Sequence, residues 1–147
     1  MKLLALFSPL LYVQISPDCL RIRDVGEGKE IAEAPRIAIP AAQGRPAGIV
    51  NPFGHPRSLV SDFAAGEQLL RTFFLRLRPK SLLKAAPRVV MHPLGIPAGG
   101  YTQIEVRALH EMALGAGAST AVVREGRPLT EQELLAGDFG AGGRILS

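Results

Sequence analysis

Residue types that carry enzyme chemistry are present in this chain, but their spacing matches no catalytic or metal-binding pattern. The histidines stand far apart, with no H-x-x-x-H spacing and no cysteine clustering, at His55, His92 and His110. No serine lies in a G-x-S-x-G elbow. The chain also has neither a Walker A loop nor an intact G-x-G-x-x-G. The sequence therefore predicts no metal site and none of these common nucleophile or phosphate sites.

Glu105 is the strongest single candidate for acid–base chemistry, and it follows Thr102 by three residues at the start of a predicted helix. At this spacing the threonine side chain caps the helix and the glutamate reaches back to the threonine N–H, which forms a capping box. Helix capping therefore accounts for Glu105 without a catalytic role. Thr130 and Glu133 repeat the pattern before a short helix predicted to end at Ala136.

A strand–loop–helix–turn–strand unit spanning 87–123 would position Glu105. An apolar run between Pro87 and Pro93 has the length of a buried strand, and a Gly/Pro loop leads from it into the helix. The GAGA sequence at 115–118 should end the helix, since glycine adopts left-handed conformations without a Cβ penalty. A second buried strand follows at 120–123, and a right-handed parallel crossover is expected. The predicted apolar face of the helix comprises Ile104, Ala108, Leu109, Met112 and Ala113.

The first half of the chain predicts hairpins followed by one helix. Strands at 10–15 and 20–24 are joined by S-P-D-C, a turn by composition. A third strand is centred on 36–39, and 42–57 is predicted to be one long loop. A helix begins after Ser61-Asp62 and ends at Pro79, with Phe63 on its apolar side. Gly66 is a mild defect in that helix, costing about 1 kcal/mol relative to alanine.

Composition places the chain among single-domain globular proteins. It has 147 residues, 47% of them hydrophobic and 20% charged. The net charge of +4 weakly favours acidic partners or an anionic membrane surface. Few aromatics and no tryptophan argue against nucleic-acid binding. The single cysteine, Cys19, excludes an internal disulfide and indicates a buried thiol in a reducing cytoplasm. We predict an apolar N-terminal segment at 1–9, one domain at 10–137 and a flexible Gly-rich tail at 138–147.

The helix sequence TQIEVRALHEMALGAGA resembles the rod shape-determining protein MreB family of bacterial actins. In that family the matching helix opens with T-x-V-E-R-R-A and closes with GAGA. The entry Val60-Ser61-Asp62-Phe63 also echoes the family's Ile-Ala-Asp-Phe, and the similarity runs from about residue 10 to about residue 124. The resemblance implies an α/β fold, a ribonuclease-H-like or actin-like ATPase half-domain with a mixed sheet and packed helices.

The resemblance also implies a phosphate loop in the first hairpin, and this chain departs from it. Gln14 stands where the family has an aspartate for the metal ion, and Ser16-Pro17 replaces Gly-Thr. Glutamine has no charge for magnesium, and Pro17 has no N–H for a phosphate. Asp18 is acidic but on the wrong residue of the turn. Glu105 falls where the family places the glutamate that orients the hydrolytic water. We therefore expect an eroded loop that does not bind ATP.

The leading expectation is a truncated MreB-like accessory protein of the cell-shape or cytoskeletal machinery, without a cofactor. It would act in the bacterial cytoplasm by binding a protein, either full-length MreB or a second copy of itself. One alternative is a nucleotide-binding domain that completes an ATP–magnesium site by dimerising, with Glu105 as general base. Another is a membrane-surface module at the inner face of the membrane, using the N-terminus and a basic cluster. That cluster, also an interface candidate, comprises Arg71, Arg76, Arg78, Lys80 and Lys84.

Overall fold

A computed structural model of the chain describes residues 9–54, 60–79, 85–95 and 99–147. Within these ranges the helices are α1 (Phe63–Leu77), α2 (Gln103–Gly115) and α3 (Glu131–Ala136). The strands of the first half are β1 (Leu10–Ile15), β2 (Leu20–Asp24), β3 (Glu30–Glu33), β4 (Ile37–Ile39) and β5 (Gly48–Val50). The second half adds β6 (Arg88–Pro93), β7 (Thr120–Gly126) and β8 (Gly143–Ile145).

The main sheet has six strands in the order β3-β2-β1-β6-β7-β8. The central strands β1, β6 and β7 are parallel, with Ile15 opposite Pro93 and Val90 opposite Val122. Strands β2, β3 and β8 run antiparallel to their neighbours. The predicted α/β class with a mixed sheet and packed helices is confirmed, as is the parallel crossover from β6 through α2 to β7.

The two faces of the sheet carry different cores because side chains alternate along each strand. Leu11, Val13 and Ile15 of β1 are fully buried in the larger core, which α1 and α2 complete. Leu10 and Tyr12 lie in a smaller cluster on the opposite face, covered by α3 and the chain around it. The smaller face carries two of the four buried polar or charged side chains of the described residues, His92 and Arg124.

Helix α1 begins where the sequence predicts, but Gly66 is not a defect in it. Asp62 is the N-cap and accepts a hydrogen bond from the Ala65 N–H at 3.0 Å. A Cβ at Gly66 would lie 2.8 Å from Met112 Cε and 3.3 Å from Phe53 Cζ. The missing side chain thus lets α1 approach α2 closely, a tertiary effect that helix propensity does not include. Phe63, placed on the apolar side by sequence, is 39% exposed.

The capping box of α2 is confirmed, and Leu109, Met112 and Ala113 of its predicted apolar face are buried, but Ile104 is not. Ile104 is 82% exposed, and the buried residues of the helix are Val106, Leu109, Met112 and Ala113. At 100° per residue, Ile104 lies about 180° from Ala113 on the helix. The prediction therefore included Ile104 in place of Val106 at the start of the buried stripe. Gly117 takes the predicted positive φ of 119°, while Gly115 is the last helical residue.

The region predicted as one strand and one long loop contains three strands. Residues 31–40 divide at Pro35: β3 joins the main sheet beside β2, and β4 pairs with β5 in a separate two-stranded sheet. Proline lacks the N–H that a continuous ladder would need, so the division falls there. Strand β5 lies inside the predicted loop, whose last residues, 55–57, are outside the described part of the chain.

The tail after α3 packs against the sheet, which corrects the expectation that it is flexible. β8 pairs with β7, and the Leu146 N–H donates to Val123 O at 2.7 Å. β7 itself continues to Gly126, three residues beyond the predicted end. The close approach of β7 and the tail requires glycine at position 143, because a Cβ there would clash with Glu125 O.

Candidate functional site

The turn and the loop of the expected nucleotide site lie side by side at the carboxyl ends of the central strands β1 and β6. β1 and β6 are parallel neighbours, so the turn after Ile15 and the loop after Pro93 leave the sheet side by side. The Leu94 N–H donates to Ile15 O at 2.8 Å and joins the two segments. The Tyr101 hydroxyl, whose pKa burial raises to about 12, donates to Gly95 O at 2.5 Å before α2 begins. The turn after β1 carries the positions that the resemblance assigned to a phosphate loop. The loop after β6 leads into α2, which carries Glu105.

The β1–β2 turn is closed by its own hydrogen bonds. The Ser16 N–H donates to Cys19 O at 3.0 Å, and the Cys19 N–H donates to Ser16 Oγ at 3.0 Å. Pro17 has no N–H, and its carbonyl accepts a hydrogen bond from Asn51 Nδ2 at 2.8 Å. Asp18 is exposed at the tip of the turn. Two of the three N–H groups that could cradle a phosphate are therefore engaged within the turn.

Gln14 occupies the face of β1 opposite the larger core. It lies opposite His92 on β6 and opposite Arg21 on β2. Its amide is half-buried and lines a cavity of about 340 Å³ that also contacts Tyr12 and Leu129. The structure does not bring Gln14 and Glu105 together, because α2 packs in the larger core on the other face of the sheet. No group of three or more His, Cys, Asp or Glu residues that could hold a metal ion exists in the described ranges.

Glu105 is engaged at the start of α2. Its Oε1 accepts hydrogen bonds from the Thr102 N–H and the Thr102 hydroxyl, both at 3.0 Å. The Glu105 N–H donates in return to Thr102 Oγ1 at 3.1 Å. A carboxylate held in this way stabilises the helix N-terminus. The arrangement supplies the structural role that the sequence alone already predicted.

The arginines of the predicted interface contact other parts of the same chain. Arg76 forms an ion pair with Glu33 of β3, and its guanidinium lies 5.2 Å from the centre of the Phe73 ring. Arg71 donates to Gly115 O at 2.5 Å, and the buried Arg78 donates to Ala85 O at 3.3 Å. These contacts tie α1 to its surroundings. A role of the cluster in an interface stays a prediction, and Lys80 and Lys84 lie outside the described residues.

A buried polar cluster on the α3 face was not predicted from the sequence. The Leu129 N–H donates to the Tyr12 hydroxyl at 3.0 Å, and that hydroxyl lies 2.6 Å from His92 Nδ1. His92 Nε2 lies 2.9 Å from Gly126 O, so Nε2 carries the proton and Nδ1 accepts from tyrosine. Burial lowers the pKa of His92 below its ordinary value. The imidazole is therefore held neutral as a structural link between three segments.

Arg124 completes this cluster. Its side chain is fully buried, and its guanidinium donates to Ala141 O at 3.0 Å, Phe139 O at 3.4 Å and Glu125 O at 3.1 Å. Its Nε is buried without a partner among the described residues. Arginine after an apolar strand gives no signal of burial in the sequence, because its carbonyl partners come from the tail. The cluster fastens the tail and presents no open site.

The chain has an actin-like α/β fold. It is similar to the crystal structures of MreB5 of Spiroplasma citri bound to ADP and to AMPPNP, with TM-scores of 0.59 and 0.57. Both are 18% identical in sequence, and each match covers 80% of this chain but 38% of the MreB5 chain. At this identity the similarity establishes the fold alone. In the described part of the chain, no helix has the length and apolar character to cross a membrane.

A sequence relative defines the family more closely. The uncharacterized protein YjaA of Escherichia coli (strain K12) is 30% identical over 112 residues, which cover 73% of this chain and 76% of YjaA. The chain belongs to the YjaA family. Protein-family profiles give no match.

Proposed function

We propose that this protein is an actin-fold accessory factor of the bacterial cell-shape or cytoskeletal machinery that binds a protein partner and does not hydrolyse ATP. The observation that carries the proposal is the closed turn between β1 and β2. Backbone N–H groups bind phosphate only when they point at it without competing partners. Here the N–H groups of Ser16 and Cys19 are engaged within the turn. We infer that the fold is retained without a phosphate-binding loop at this turn.

The position that could supply a general base supports the same proposal. Catalysis needs a carboxylate within hydrogen-bond reach of the water that it activates. Glu105 instead accepts two hydrogen bonds from Thr102. Gln14 offers no carboxylate for magnesium, and Asp18 lies exposed at the tip of the turn. None of these residues requires a nucleotide to explain its present contacts.

The matched share of MreB5 is relevant to the alternative that this chain binds a nucleotide. The two MreB5 crystal structures are of ADP-bound and AMPPNP-bound protein, and the chain spans 38% of the length of MreB5. The resemblance implies a cleft between two domains, of which this chain would build one wall. A dimer that completes the cleft, with Glu105 as base and ATP–magnesium as ligand, is the second candidate. A membrane-surface role would rest on the N-terminal segment, whose first eight residues lie outside the described ranges.

The partner that we propose is full-length MreB, with a second copy of this chain as the alternative. Nucleic acid is disfavoured because the chain has few aromatic residues. Several arginines are also neutralised within the chain, including Arg21 by Glu30, Arg23 by Glu131 and Arg127 by Glu133. A binding protein of this kind would act in the cytoplasm, where MreB polymerises.

Co-sedimentation with polymerised MreB tests the proposal. We expect the protein to pellet with the filaments in a saturable way, or to change the amount of MreB that pellets. The protein centrifuged alone, and the protein with MreB kept unpolymerised, are the controls for self-association and for nonspecific carry-over. Protein that stays in the supernatant at every ratio, with the MreB pellet unchanged, would contradict the proposal.

A further inference from the structure

A groove lies between α2 and the free edge of the sheet. Helix α2 contributes a stripe of side chains at positions i, i+3, i+4 and i+7, and the tail contributes the opposite wall. The cavity between them has a volume of about 590 Å³. The helix side comprises Gln103, Val106, Arg107 and His110, and the strand side comprises Arg144, Ile145, Leu146 and Ser147.

The strand side of this groove has an unpaired backbone edge. β8 is the last strand of the sheet, and its register with β7 fixes the direction of each peptide group. The Leu146 N–H donates to Val123 O, so the N–H and C=O of the preceding residue, Ile145, point away from β7 by the alternation of an antiparallel ladder. No hydrogen bond to either group of Ile145 occurs within the described part of the chain. An incoming strand could therefore pair there.

The side chains around the groove favour a ligand that is both apolar and acidic. Val106 and Leu146 supply the apolar surface, and Leu146 packs against the larger core. Arg107 is exposed and has no ion-pair partner among the residues described. Arg144 is 72% exposed at its side chain and bonds Glu125 at 2.6 Å. His110 lies on the same side of α2. Among the described residues, no acidic side chain lines the groove.

We propose that this groove binds an extended acidic segment of a partner protein by strand addition to β8. The inference rests on the proposed protein-binding function and names its surface. Because β8 has three residues, a segment that pairs with it would contact it over about 10 Å, or three residues. Because side chains alternate, acidic residues of the segment would face Arg107 and Arg144 while its neighbours face away. Main-chain bonds would give affinity, and the arginines would give the preference for acidic sequence.

A second copy of this chain is a poorer occupant of the groove. Pairing two β8 edges would place Arg144 of each copy near Arg144 of the other, and like charges across strands are unfavourable. The chain also carries a net charge of +4, so two copies repel. An acidic partner would cause neither repulsion between arginines nor repulsion between two positively charged chains.

Fluorescence anisotropy with two labelled eight-residue peptides tests the assignment. One alternates Glu with Val, and the other alternates Lys with Val. We expect the acidic peptide to bind at least about tenfold more tightly than the basic one, with binding that weakens as salt is raised. Hydrogen exchange at the Ile145 amide should slow about tenfold in the complex. Equal binding of the two peptides, or an Ile145 amide that exchanges as in the free protein, would overturn the proposal.

Matched variants separate the groove from general charge. Arg107→Glu should weaken binding of the acidic peptide by about tenfold. Arg36→Glu changes the net charge equally but lies after β3, at the opposite edge of the sheet, and should change binding by less than about twofold. Ile145→Pro removes the free N–H without removing a ladder bond and should abolish binding, whereas Ile145→Val should not change it. Equal effects of Arg107→Glu and Arg36→Glu would overturn the assignment.

The same variants distinguish failure of the groove from failure of the proposed function. If the wild-type chain pellets with MreB filaments and Arg107→Glu and Ile145→Pro pellet equally well, the groove assignment is wrong while the protein-binding function stands. A loss of concentration-dependent dimer in Ile145→Pro, without binding of either peptide, would assign the edge to a second copy and also overturn the proposal.

Discussion

The Cys19 N–H donates a hydrogen bond to Ser16 Oγ at 3.0 Å, and the Ser16 N–H donates to Cys19 O at the same distance. These two bonds close the β1–β2 turn, where the actin-like resemblance implies a phosphate loop. Pro17 between them has no N–H, and its carbonyl is held by Asn51. A turn satisfied in this way has a structural role and offers little to an anion.

The contact between Gly66 and Met112 predicts an unusual response to alanine. Helix propensity alone would make Gly66→Ala stabilising by about 1 kcal/mol. The added methyl would lie 2.8 Å from Met112 Cε, and overpacking a filled core costs about 1–3 kcal/mol. We expect Gly66→Ala to lower the free energy of unfolding by about 1 kcal/mol, measured by urea denaturation. In a Met112→Ala background, where space is available, the same substitution should be stabilising. Stabilisation in both backgrounds would contradict this packing account.

Arg124 should hold the tail to the sheet. Arg124→Met leaves the carbonyls of Phe139 and Ala141 without their buried donor, which should cost about 2–3 kcal/mol. The Leu146 amide, bonded to Val123, should then exchange faster with solvent. Arg144→Met is the matched control, because its exposed ion pair with Glu125 should be worth less than about 1 kcal/mol. Similar losses for the two variants would show that the carbonyl contacts of Arg124 do not fasten the tail.

His92 should make stability depend on pH near neutrality. Burial lowers its pKa in the folded state below the ordinary value of 6.5. The folded state therefore favours neutral histidine, and its contribution is complete above pH 6.5 and is lost as the pH falls towards the lowered pKa. Wild-type protein should lose stability as the pH falls below about 6.5. His92→Gln should be less stable at pH 7.5 but show a flatter profile over this range.

The carboxylates act in a different pH window. Hydrogen bonds from Arg127 and from the Thr130 backbone lower the pKa of Glu133 to about 2. Arg76 likewise lowers the pKa of Glu33. Their contributions are present above the ordinary carboxyl pKa of 4.5 and are lost only below it. Identical pH profiles of wild type and His92→Gln above pH 5 would show that His92 is not the titrating group.

The capping box of α2 predicts how Glu105 variants behave. Thr102→Ala should destabilise the protein by about 1 kcal/mol, as loss of an N-cap does. Glu105→Gln should be nearly neutral, because glutamine also completes a capping box. Glu105→Ala should be destabilising, and its effect should add less than fully to that of Thr102→Ala because the two residues bond each other. Thermal or urea unfolding of these three variants and of the Thr102→Ala/Glu105→Ala double variant measures this, and full additivity would count against the box.

The sequence was sufficient where local rules decide the structure. The bounds of β1 and β2, the caps at Asp62, Thr102 and Thr130, and the crossover to β7 all follow from periodicity and short-range hydrogen bonding. It was insufficient where distant segments meet. The role of Gly66 depends on Met112, and the burial of Arg124 depends on carbonyls 15 and 17 residues later.

The candidate site divides in the same way. Loss of the Pro17 N–H and of a charge at Gln14 can be read from residue types alone. The hydrogen bonds that close the turn, and the groove between α2 and β8, required the tertiary structure. The tail was predicted to be flexible because its glycines suggest freedom. In the folded chain these glycines instead let the tail approach β7 closely, because a Cβ at Gly143 would clash with Glu125 O.

Isothermal titration with magnesium–ATP tests the central claim most directly. We expect no detectable heat of binding to the wild-type chain at protein concentrations of about 100 μM. A variant with Gln14→Asp and Pro17→Gly, which restores a carboxylate and an N–H, is the informative comparison. Binding of micromolar strength by the wild type, lost when Asp18 is changed to Asn or when dimerisation is prevented by dilution, would contradict the account and return the protein to the nucleotide-binding class.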